Sequence, residues 1–163
     1  MTSMTEPLEQ SLRRYIKGKA VLLGIGNPLR GDDAVGTLLA EQFLDNECIV
    51  GIPAGEVPEN YTGVIRNENP QTIILADAID FKGEPGQVVL MEEIQLEERF
   101  SSHRPSLGLL MHYLRIELGA TVLLLGIQPE NTDYDSKLSH RVKETKSQLE
   151  KMFKNLSKPG KVA

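Results

Sequence analysis

The stretch VLLGIGNPLRGDDAVG, residues 21–36, decides how the rest of the chain is read. Val21-Leu22-Leu23 is an apolar run of strand character. Gly24-Ile25-Gly26-Asn27-Pro28 is a glycine-rich turn, Gly31 precedes two acids, Asp32 and Asp33, and an amphipathic segment starts at Ala34. A strand, a glycine loop and a helix start, in that order, place a functional site at the carboxyl edge of a sheet. The free N–H groups of such a helix start ordinarily attract an anion. Here two carboxylates already stand there; they suit a helix cap, repel a phosphate and favour a cation.

Outward from this stretch, strand-like and helix-like patterns alternate. A strand is expected over 20–25, followed by a helix over 33–45 with Val35, Leu38, Leu39 and Phe43 on its inner face. A second strand is expected over 47–52. Pro58-Glu59-Asn60 opens a helix whose Tyr61, Val64 and Ile65 turn inward until Asn69-Pro70 stops it. Thr72 to Ala76 is a continuous apolar run, as in a strand covered on both faces, and it ends at Asp77-Ala78-Ile79-Asp80. The connection over 81–86 is too short for a crossover helix, so the strand over 87–91 runs antiparallel. A short acidic helical segment over 92–99, a loop over 100–105 and, after Ser106, a helix from Leu107 to Leu118 follow. A strand over 121–127 and a helix over 136–156, with Leu138, Val142, Leu149, Met152 and Phe153 inside, complete the pattern.

This alternation predicts an α/β fold: a three-layer α/β/α sandwich around a twisted, mostly parallel five-stranded sheet with one antiparallel edge strand. Residues 1–19 read as an N-terminal extension, either a peripheral helix or a loose arm. Residues 20–156 read as a single α/β domain and 157–163 as a polar tail. If the first and third strands are neighbours, a crevice opens between the Gly24–Asp33 loop and Asp77.

Composition fits that picture. The chain has 163 residues, 40% hydrophobic and 25% charged, with a net charge of −5. These values suit one soluble domain and weigh against a nucleic-acid partner. No apolar run approaches the roughly 20 residues that span a bilayer, and the N-terminus lacks the apolar core of a signal peptide. Cys48 is the sole cysteine. It excludes an intrachain disulfide and a CxxC site and fits a reducing cytoplasm. Beside Ile49 and Val50 it reads as a buried thiol in a strand.

Two sets of residues could carry chemistry. A nucleotide site fits poorly, because the position that a GxGxxG pattern gives to its last glycine is Leu29, and Gly31 is followed by acids rather than by Lys and Ser or Thr. The second set is Asp33, Asp77 and His103, each at a turn or strand end. Two carboxylates and an imidazole suit a divalent ion of intermediate softness and leave coordination positions open. Each also has a plain structural reading: Asp33, or Asp32 beside it, as a helix cap; Asp77 as a solvated acid or turn cap; His103 as an exposed histidine. Spacing alone does not join them. No G-x-S-x-G is present, and nothing links His112 or His140 to a nucleophile.

The sequence resembles the hydrogenase maturation endopeptidases, above all the subgroup that serves formate hydrogenlyase and related hydrogenases. The resemblance rests on GIGNPLRGDDAVG with LLAEQF after it, VPEN near Pro58, ILADAIDFKGEPG, SSHRPSL around His103 and LLLGIQP at Leu123–Pro129. It implies a phosphorylase/hydrolase-like fold and an aspartic-type endopeptidase. Such an enzyme would cut a C-terminal extension from the large-subunit precursor of a nickel–iron hydrogenase after nickel insertion. It also implies metal contact by Asp33, Asp77 and His103, with catalytic roles for Asp33 and Asp77 and the nickel carried by the substrate. Asp32 matches the neighbouring acid that is not a ligand. The expected partner is the precursor alone, without nucleic acid or membrane, met by a cytoplasmic monomer. The alternative is a module that checks nickel loading without cutting. The chain departs from the family pattern in its segment up to Lys19 and in Pro28 and Arg30 of the glycine loop.

Overall fold

Every residue of β1 (Ala20–Ile25) is buried, as a strand can be only in the middle of a sheet covered on both faces. The structure, a computed structural model, describes residues 5–100 and 105–158. The other strands are β2 (Ile49–Gly55), β3 (Thr72–Ala78), β4 (Val88–Met91) and β5 (Thr121–Ile127). They form one sheet in the order β2-β1-β3-β5-β4. β1 pairs in parallel with β2 and β3, and β3 with β5. β4 is the antiparallel edge. This is the mixed five-stranded sheet expected from the sequence.

Side-chain alternation divides the interior into two layers. Val21, Leu23, Ile73, Leu75, Val122 and Leu124 pack towards α3 (Thr62–Glu68), α4 (Glu93–Phe100) and α5 (Pro105–Leu118), meeting Ile65, Leu96, Leu107, Leu110, Met111 and Leu114. Leu22, Ile74, Ala76, Leu125 and Ile127 pack towards α1 (Thr5–Tyr15), α2 (Val35–Glu41) and α6 (His140–Leu156), meeting Leu12, Val35, Leu39, Val142, Leu149 and Phe153. Phe43, just beyond α2, meets Phe153 edge-on with ring centroids 6.0 Å apart, a favoured aromatic geometry. Leu12 is fully buried in this layer, so α1 contributes to the core.

The route of the chain positions the site. After β1 it passes through α2 to β2 on one side, then returns through α3 to β3 on the other. The switch between β1 and β3 is where open α/β sheets form their crevice. Glycines let α2 lie almost on the strands here. A Cβ on Gly36 would stand 2.0 Å from the Ala76 carbonyl oxygen, and one on Gly24 would stand 2.3 Å from the Gly36 oxygen. Gly36→Ala is therefore expected to cost about 3 kcal/mol by overpacking against backbone. Gly63→Ala, where the added carbon meets nothing within 4 Å, is expected to be neutral or to stabilise by up to about 1 kcal/mol. Urea unfolding of the two variants checks the contrast.

Four sequence expectations are corrected. Cys48 is exposed rather than buried. The Asn46 side-chain oxygen accepts the Cys48 and Ile49 N–H groups at 2.9 and 2.8 Å, and this turn holds Cys48 outside the strand. β2 runs through Pro53 to Gly55, which an edge strand tolerates because its outer side needs no donor. The helix expected over 33–45 is a 3-10 turn, Gly31–Ala34, followed by the short α2. Val64 is exposed, and only Ile65 of the α3 pair faces the core.

Candidate active site

Asp33 is set by the backbone around it. The 3-10 turn Gly31–Ala34 lies over the carboxyl end of β1 and packs against β3. Gly26 has φ +131°, and a Cβ there would collide with the Asp33 carbonyl oxygen, so only glycine allows the turn to close this tightly. The Asn27 N–H donates to Asp33 Oδ2 at 2.8 Å, and the Asn27 side-chain oxygen accepts the Leu29 N–H at 2.8 Å. The buried Thr37 hydroxyl donates to the Gly26 carbonyl at 3.0 Å. Asp33 itself remains partly exposed.

Asp77 is the sixth residue of β3 and lies opposite Gly126 of β5. It is only 1% exposed. By alternation it shares a face with Ile73 and Leu75, the face covered by α5. A carboxylate in such surroundings is costly to hold, which marks it as a candidate for chemistry rather than for surface charge. The structure thus places Asp33 and Asp77 at the carboxyl ends of adjacent strands. His103 lies outside the described residues. Among the described residues no group of three His, Cys, Asp or Glu side chains is arranged to hold a metal ion.

Asp32 has a different task. It is fully buried and accepts four hydrogen bonds. These come from the N–H groups of Glu130, Asn131 and Ser139, at 2.8, 3.0 and 2.7 Å, and from the Ser139 hydroxyl at 2.9 Å. Its own N–H donates to the Asn131 carbonyl at 2.8 Å. Asp32 therefore fastens the glycine loop to the loop that follows β5. This also explains why α6 begins at His140 rather than at 136: Ser139 takes the cap position but gives its hydroxyl to Asp32.

Gln128, at the end of β5, fixes the segment beyond Asp77. Its side-chain oxygen accepts the Phe81 and Gly83 N–H groups at 2.9 and 3.0 Å, and its amide donates to Asp80 Oδ1 at 3.1 Å. The Lys82 backbone N–H first, and then the Gln128 amide, hold the Asp80 carboxyl below its ordinary range. Neither Gln128 nor Ser139 carries a sequence signal of its role, since the partners of both are far away along the chain. Two cavities of about 350 and 660 Å³ open between α4 and α5. Neither is lined by Asp33 or Asp77, and Ala120 and Thr121 place the larger one at the opposite end of the sheet.

The family model for hydrogenase maturation proteases of the HycI type matches residues 34–156. The chain belongs to the hydrogenase maturation protease family. The hydrogenase 3 maturation protease of Escherichia coli is 32% identical over 128 residues, covering 76% of this chain and 81% of that protein. The crystal structure of the hydrogenase maturation protease HycI from Thermococcus kodakarensis superposes with a TM-score of 0.81 at 31% identity, covering 90% of this chain and 98% of that one. The solution structure of the endopeptidase HycI from Escherichia coli gives 0.76 at 29% identity, covering 89% and 95%. As a hydrogenase maturation protease this protein is a peptide-bond hydrolase, on the three-layer α/β fold of that family.

Proposed function

We propose that this hydrogenase maturation protease removes the C-terminal extension of the large-subunit precursor of a nickel–iron hydrogenase, and that it recognises nickel already seated in the precursor. The observation that carries this reading is the pair of acids at the switch crevice: Asp33, held over β1, and Asp77, buried at the end of β3. The proposal adds His103, which lies outside the described residues, as the nitrogen donor of a mixed set that would suit a borderline divalent ion with open positions. Nickel held by precursor thiolates is such an ion, and it is part of the substrate. Docking on it sets the scissile peptide bond in the crevice and makes cleavage wait for metal insertion.

Hydrolysis adds water across that peptide bond, leaving a carboxylate on the mature subunit and an amine on the released peptide. Asp33 or Asp77 takes the proton of the attacking water as general base and returns it to the leaving amine nitrogen as the C–N bond breaks; the substrate's nickel, once docked, would make that water easier to deprotonate. The reading places the reaction in the cytoplasm. Among the described residues no helix is long and apolar enough to cross a membrane.

The test presents the purified protein with its precursor in nickel-loaded and nickel-free forms and weighs the products by mass spectrometry. Release of the C-terminal peptide from the loaded form alone is expected. Equal cleavage of both forms removes nickel as the handle. A stable complex with an uncut, loaded precursor supports the non-cleaving alternative instead.

A further inference from the structure

We propose that the groove between α4 and α5 is a second docking site for the precursor, taking a segment that carries a lysine or arginine beside an apolar residue. The inference rests on the processing reading above and names a part of the substrate that lies beyond the crevice. The two cavities of about 350 and 660 Å³ share Glu93, Glu97 and His112 in their walls, so they are compartments of one groove. Volumes of this size hold a side chain or a short stretch of peptide. The floor is apolar. Leu96 and Val122 are buried in it, while Ile94 and Leu109 flank it at 59% and 71% exposed. Large apolar side chains that line a cavity between two helices, rather than standing singly on convex surface, mark a contact face.

Charge decides the chemistry of the occupant. Three carboxylates, Glu92, Glu93 and Glu97, line the groove against one guanidinium, Arg115. That guanidinium is already engaged: Arg115 Nε donates to Glu93 Oε2 at 2.8 Å, and His112 Nδ1 donates to Oε1 at 2.7 Å. Burial raises the Glu93 carboxyl, but these two bonds outweigh it and hold the group below its ordinary range. Glu93 is therefore ionised and neutralises Arg115. The Glu92 side chain meets the Tyr15 hydroxyl at 3.4 Å, and among the described residues the Glu97 side chain has no partner. Arg99, the cation of α4, is itself engaged and does not line the groove. An ionised Glu93 can only accept, so Nδ1 carries the proton and the neutral His112 ring presents Nε2 as an acceptor. Among the described residues the groove thus offers two uncompensated carboxylates and a bare acceptor, and no free cation. It fits an ammonium or guanidinium and opposes an acidic chain.

Position makes the partner the precursor. α5 ends at Leu118 and β5 begins at Thr121, so the helix runs back over the sheet and its first turn lies towards the carboxyl edge, where Asp77 stands. Its 14 residues span about 21 Å, the reach of about six extended residues. A chain whose scissile bond sits in the crevice can lay its neighbouring residues along this groove. Such remote contacts add binding without touching the reacting atoms.

The experiment uses full-length protein and the nickel-loaded precursor. Glu97→Lys and Leu109→Ser are each expected to raise KM about ten-fold while kcat stays within about two-fold, the pattern of lost uniform binding. Affinity for the loaded precursor, measured by interferometry, is expected to weaken about ten-fold whether or not cleavage follows. Glu98→Lys makes the same charge change on α4 outside the groove and is expected to alter neither. Added salt should weaken binding by the parent more than by Glu97→Lys, whose charge contact is gone. Melting temperatures of all three variants should stay within about 2 °C of the parent, since the side chains are exposed. Unchanged affinity in both groove variants overturns the proposal, as does an equal loss in Glu98→Lys, which would show that overall charge alone matters. If the parent binds the precursor but releases no peptide, the processing reading fails, and the affinity measurements still decide the groove.

Discussion

Asp77→Asn is expected to reduce processing by on the order of a thousand-fold or more, the scale of loss when a group acting on the reacting atoms is removed. The substitution keeps the shape of the side chain and removes its charge. Asp77 is 1% exposed near the end of a buried strand, and an amide of equal size keeps its packing. Folding should survive. The variant therefore separates a carboxylate held for its chemistry from one held for packing. Rates of C-terminal peptide release by mass spectrometry, beside a thermal melt of the same sample, make the measurement. Processing above about a tenth of the parent rate in a folded Asp77→Asn protein would remove Asp77 from the mechanism.

Asp32→Ala is expected to do the opposite: destabilise the fold by about 3 kcal/mol. Four hydrogen bonds to a buried carboxylate are lost together. Full additivity would give more, but Glu130 and Asn131 are exposed, so their N–H groups can turn to water. Asp32→Asn is no rescue, since its amide nitrogen would face N–H donors. Asp33→Ala removes a single accepted bond at a partly exposed position and should cost no more than about 1 kcal/mol while stopping processing. Urea unfolding and the processing assay on these variants would thus assign adjacent acids to separate tasks. Similar stability losses in Asp32→Ala and Asp33→Ala would contradict the four-bond account.

That division of labour was the least legible part of the sequence. Asp32 and Asp33 are neighbours of one residue type. What distinguishes them is a set of donors about a hundred positions away, at Glu130, Asn131 and Ser139, which no local pattern encodes. The strands were legible for the opposite reason. β1, β3 and β5 are buried on both faces, so their sequences are continuous apolar runs, and the short link before β4 dictated an antiparallel edge. Periodicity misleads where local chemistry competes with it. Cys48 sits beside Ile49 and Val50 but is held out by an Asn46 turn. Val64 has an inward-looking sequence neighbour in Ile65 and faces solvent. The glycine loop signalled its position from composition alone, while the close contact between Gly36 and the Ala76 carbonyl emerged only once β3 lay beside β1.

The strand order has a consequence for biosynthesis. β5 is the last strand made, yet it lies between β3 and β4. When β4 leaves the ribosome it has no neighbour, and β3 offers a bare hydrogen-bonding edge until residues 121–127 arrive to fill the gap. Nascent chains of this protein therefore cannot complete their sheet before most of the polypeptide has been translated. Truncations that end before Thr121 should be sticky, chaperone-bound species rather than smaller folded units.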